Sequence, residues 1–155
     1  MACLKLTLIK KDLDFKLKLL IIATFYMSYR FIGGIINLIW IFIGSERAAS
    51  GDWGVAFGGD TMIGLFAIIL GFQIIKKPSQ ILWALVLCWN AVGAFDIIGA
   101  ISGTIYSPFA PFPELGIGYI GFQVVLISNL LIHGLSFYLL SRNDVKAYMG
   151  LKVEP

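Results

Sequence analysis

The stretch CWNAVGAFDIIGAISG, positions 88–103, decides the fold. It lies inside a run, 81–106, that is apolar enough to cross a membrane, yet it holds a carboxylate, Asp96, with Asn90 upstream and a GxxxG of Gly99 and Gly103 downstream. A central Asp costs about 2.5–3.5 kcal/mol to insert, while each Leu, Ile, Val or Phe returns about 0.3–0.6 kcal/mol. The run has eleven such residues, worth roughly 3–7 kcal/mol on that scale, so it inserts in spite of its acid. The acid must then face protein, which requires companion helices.

Composition agrees. Of 155 residues, 59% are hydrophobic and 14% charged, and the mean hydropathy of +0.88 exceeds what a water-soluble domain can bury. Apolar runs predict four spans at 19–43, 56–75, 81–106 and 117–140, each near or above the ~20 residues needed to cross the hydrocarbon. The first run, at about 25 residues, is too long for a secretory signal core and reads as an uncleaved span.

Positive charge sorts the ends. Lys5, Lys10, Lys11, Lys16 and Lys18 precede the first span, Lys76 and Lys77 lie between the second and third, and Arg142, Lys146 and Lys152 follow the fourth. The other connections hold only Arg47, beside two acids, and Glu114. The positive-inside rule therefore predicts both termini in the cytoplasm and a multi-pass protein of the cell (inner) membrane. The expected organisation is a basic amphipathic segment at 1–18, a transmembrane domain at 19–141 and a polar cytoplasmic tail at 142–155. The fold class is all-α: an antiparallel four-helix transmembrane bundle, with Ser79 in KKPSQ set to cap the third helix.

Each span carries a polar stripe that is also a small-residue stripe: Arg30, Gly34, Asn37 and Gly44; Asp60, Gly64, Ala67 and Gly71; Trp89, Gly93, Asp96, Ala100 and Gly103; Asn129, His133 and Ser136. Small residues let helices approach closely in lipid, so these stripes predict the bundle interior, with Gly34, Gly64, Gly93, Gly99 and Gly103 as packing positions. Counting helical rise from the cytoplasmic ends places Arg30 and Asp96 at about 18 and 22 Å. They are expected to pair, since either charge alone is costly in a low dielectric. Asn90 and His133 form a layer nearer the cytoplasm. Asp60, near the predicted start of the second helix, belongs to the outer mouth, where helix capping explains it as well as function does.

Ligand or proton pathway candidates are thus Arg30, Asp60, Asn90, Asp96 and His133, and pocket-lining candidates are Asn37, Trp89 and Asn129. Asp60, Asp96 and His133 differ in depth and lack the Glu-x-x-His spacing of di-iron bundles, so no metal or cofactor is expected. Phosphate loops, GxSxG, HExxH and CxxC are absent from the sequence, and nucleic acid is not an expected partner. Three functions remain open: a carrier or binding protein for a small molecule or ion, proton-coupled and homo-oligomeric if it transports; a membrane enzyme using acid–base chemistry on an isoprenoid or quinone; or an accessory subunit docking through the GxxxG face.

The ordered motifs YRFIGG at 29–34, FGGD at 57–60, CWNAVGAFD at 88–96 and LIHG at 131–134 resemble a family of small bacterial four-span membrane proteins of uncharacterised activity. That resemblance implies that Arg30, Asp60, Trp89, Asn90, Asp96 and His133 form one constellation. The chain departs from the pattern in lacking prolines before FGGD and in the fourth span, where QVVLISN stands at 123–129.

Overall fold

The computed structural model describes residues 15–46, 48, 52–106 and 118–153, with backbone only at 52, 53, 55 and 104–106. The basic segment before residue 15 and the proline-containing connection lie outside the described residues. Among the described residues six helices follow in order: α1 (Phe15–Tyr26), α2 (Tyr29–Phe42), α3 (Asp52–Lys76), α4 (Gln80–Tyr106), α5 (Tyr119–Ser141) and α6 (Asn143–Tyr148). α1 and α2 together make one span, Phe15–Phe42, and with α3, α4 and α5 they give four helices long and apolar enough to cross a membrane. Large apolar side chains such as Ile22, Phe42, Phe66, Phe95, Ile120 and Leu131 point outward. In water such a surface is a liability; against acyl chains it is solvated.

The first span is interrupted, which the sequence did not predict. Ser28 N–H donates to Phe25 O at 3.0 Å, Arg30 to Met27 O at 3.2 Å and Phe31 to Ser28 O at 3.1 Å. These i to i−3 bonds tighten one turn into 3₁₀ geometry, a common device at functional positions, and start α2 immediately before Arg30. α2 ends in a Schellman motif, with Ser45 N–H donating to Trp40 O at 2.9 Å and Gly44 N–H to Ile41 O at 3.1 Å. Gly44, at φ 65°, is therefore the helix terminator and not a member of the polar stripe.

The helices form a ring in which α3 packs on α1, α2 and α4, while α5 packs on α4 and α1. α2 and α5 share no comparable seam. Close approach depends on glycine. A Cβ at Gly34 would collide with Thr61 and the Phe57 carbonyl of α3, one at Gly64 with the Phe31 backbone of α2, and one at Gly93 with the His133 ring of α5. At Gly99 and Gly103 an added Cβ meets nothing within 4 Å. This corrects the packing role expected of those two: the GxxxG lies on a face that the described helices do not use.

One end of the bundle is dry and apolar, built around Leu17, Leu20, Ile74, Leu82, Val86, Leu139 and Leu140. The segment expected as a polar cytoplasmic tail closes it. α6 buries Val145, and Met149 follows it into the same cluster. Tyr148 donates its hydroxyl to Ile74 O at 3.3 Å, Gln80 Nε2 donates to Gly150 O at 2.5 Å, and Lys16 pairs with Asp144. Burial also pushes the Tyr148 phenol up, which keeps it a donor. Ser79 caps α4 through a hydrogen bond from Leu82 N–H at 3.1 Å.

Candidate functional site

The other half of the bundle is organised around one guanidinium. Arg30, in the first turn of α2, is buried to 2% side-chain exposure, while the carboxylates it meets, Asp60 and Asp96, keep 29% and 25%. Its Nε donates to Asp60 Oδ1 at 2.6 Å, and its Nη2 contacts both Asp60 and Asp96. Asp96 Oδ1 lies alongside Gly59, where an added Cβ would sit 3.2 Å away.

Asp60 thus shares the layer of Arg30 and is neither a cap nor a group at the outer mouth. The physical reason is the length of α3. It begins at Asp52, eight residues before Asp60, which puts the carboxylate about 12 Å inside the helix. One positive charge serves two acids, leaving a formal surplus of one negative charge when all three are ionised.

Asn90 and His133 form a second, fully buried layer. Asn90 Nδ2 donates to Val86 O at 2.9 Å, which fixes the amide so that its Oδ1 faces His133 Nδ1 at 2.9 Å. Nδ1 therefore carries a proton toward Asn90, and Nε2, aimed at Gly93, has no hydrogen-bond partner among the described residues. Trp89 packs edge-on to His133 with ring centroids 5.7 Å apart and donates Nε1 to Ile63 O at 3.1 Å. This indole is a packing element tied to α3.

Between α2 and α5 lies a half-enclosed cavity of about 350 Å³. Tyr29, Arg30, Ile32, Gly33 and Ile36 of α2 form one wall; Phe122, Val125, Leu126 and Asn129 of α5 form the other; Phe57, Asp60 and Ile97 complete it. Ile32 and Val125 are exposed, which marks the open side as the missing α2–α5 seam. Tyr29 and Asn129 bridge the walls through a hydrogen bond from Asn129 Nδ2 to the Tyr29 hydroxyl. Arg30 Nη1 and Asn129 Oδ1 are buried without partners among the described residues.

Of the residues expected to line a pocket, Asn129 does so. Trp89 and Asn37, though buried, do not, and neither do Asn90, Asp96 or His133. Tyr29, Gly33, Phe57 and Phe122 were not anticipated. Tyr29 and Gly33 sit inside YRFIGG, and the usable signal was that two adjacent glycines on a helix point to different faces. Among the described residues, no three His, Cys, Asp or Glu side chains are grouped as metal ligands. No family model, curated protein or solved structure matches this chain.

Proposed function

We propose that this is a membrane binding protein that receives a small amphiphilic molecule laterally, through the gap between α2 and α5, and holds its polar end at Asp60 and Arg30. The observation that carries this is the cavity itself: apolar over most of its wall, half-open along an unpaired helix seam, and polar at one end. Its volume falls in the ordinary range of small-molecule sites. The sorting of lysines and arginines, together with the meeting of Lys16, Ile74, Gln80 and Asp144 at one end of the bundle, supports an antiparallel topology with both termini in the cytoplasm of a bacterial inner-membrane protein. The shared motifs support membership of the four-span family they resemble.

The site favours holding over conduction. The Asn90–His133 layer is fully buried and outside the cavity lining, which supports a cavity that ends before that layer. Gly33 supplies the test. It lines the cavity, and a Cβ there meets no atom within 4 Å, so Gly33→Phe introduces a ring from an open position of the cavity wall. Native mass spectrometry with the neutral probe N-phenyl-1-naphthylamine is expected to show one retained equivalent in the wild type and none in Gly33→Phe. Equal retention by both proteins contradicts the reading.

A further inference from the structure

We propose that the cavity selects a lipophilic organic cation, an ammonium or phosphonium group on an apolar body, which Asp60 receives in exchange for a proton. The inference rests on the binding reading above and adds the sign of the ligand's charge. The first ground is the charge count. Arg30 is contacted by two carboxylates, so the layer carries one negative charge that no side chain neutralises. That surplus exists when all three groups are ionised; in a low dielectric it is costly, and a proton or a cation cancels it.

The second ground is access. Asp60 lines the cavity and keeps 29% side-chain exposure, whereas the Arg30 side chain keeps 2%. Arg30 Nη1 does lack a partner, but an incoming group meets the carboxylate before it meets the guanidinium. An anion entering here would raise the surplus to two negative charges.

The third ground is the wall. Three of the cavity-lining residues, Tyr29, Phe57 and Phe122, are aromatic, and aromatic rings attract desolvated cations.

Proton exchange follows from the same count. Around Asp60, α2 contributes Arg30 and Tyr29, α4 contributes Asp96, and α5 contributes Asn129; His133 of α5 lies in the separate buried layer with Asn90. α1 adds Tyr26, whose ring lies 5.3 Å from that of Tyr29. The two carboxyl groups are the acids that share Arg30, so a proton held between them goes to water when the cation arrives, and net charge is conserved.

The test uses two nearly isosteric ions of opposite sign, tetraphenylphosphonium and tetraphenylborate. Each is equilibrated by dialysis against the full chain in zwitterionic-lipid nanodiscs, with empty nanodiscs as background. Protein-dependent retention is expected for the phosphonium alone, falling at least about tenfold in Asp60→Asn and on lowering the pH from about 8 to about 5, where carboxylates begin to protonate. Gly33→Phe should abolish it, and this arm and the pH series decide the matter if Asp60→Asn does not fold. Retention of the borate that is sensitive to Gly33→Phe overturns the proposal, as does phosphonium retention indifferent to pH. Retention of neutral N-phenyl-1-naphthylamine without the phosphonium overturns the charge preference and leaves the cavity reading standing. Retention of no probe at all overturns both.

Discussion

Gly33 and Gly34 are neighbours in sequence, and alanine at each should have opposite consequences. At Gly34 the new methyl collides with Thr61 Oγ1 and comes within 2.9 Å of the Phe57 carbonyl oxygen. The hydroxyl cannot simply rotate away, because it donates to that same carbonyl at 2.9 Å. Relief therefore requires α2 and α3 to separate, and overpacking of this kind costs about 2–3 kcal/mol. Replacing glycine within a helix returns about 1 kcal/mol, leaving Gly34→Ala destabilised by about 1–2 kcal/mol. At Gly33 nothing lies within 4 Å of the added atom, so only the gain of about 0.5–1 kcal/mol remains. Reversible unfolding in mixed micelles of increasing denaturing detergent should separate the two variants by about 1.5–3 kcal/mol. Equal stability would refute the close α2–α3 approach on which the position of Arg30 rests.

Three further outcomes follow from the same geometry. Gly99→Leu and Gly103→Leu should leave monomer stability within about 0.5 kcal/mol or raise it slightly, because both positions are open; a loss above that in the same assay means those glycines pack inside the bundle. Met149→Ala, which empties a fully buried position beneath α6, should cost about 2–5 kcal/mol, whereas a free tail would register nothing. Asn90→Ala removes the amide that fixes His133 and should cost about 1–3 kcal/mol, with the nitrogen-15 shifts of the imidazole reporting a change in tautomer balance.

The spans were legible because insertion into lipid is decided by local composition, and the limits of α4 and α5 fall within two residues of those read from the sequence. The interior was legible where small and polar residues coincided: Arg30, Asn37, Asn90, Asn129 and His133 are all buried. Two features were hidden for definite reasons. The depth of Asp60 depends on where α3 starts, and GDWG at 51–54 is polar enough to look like loop, although Asp52 opens the helix. The cavity depends on a seam that is missing, and sequence periodicity reports which face of a helix is buried without reporting which neighbour covers it. The outward GxxxG failed for the same reason: spacing shows that a close approach is possible, not that this chain makes one.

The claim that one guanidinium serves two acids is tested most directly by the stability of Arg30→Met beside Arg30→Met/Asp96→Asn and Arg30→Met/Asp60→Asn/Asp96→Asn. Removing the cation alone strands two carboxylates and should cost about 3–5 kcal/mol. Neutralising Asp96 should recover part of that loss, and neutralising Asp60 as well should bring stability within about 1 kcal/mol of the wild type. An Arg30→Met protein as stable as the wild type, or full recovery with Asp60 still charged, would contradict the account.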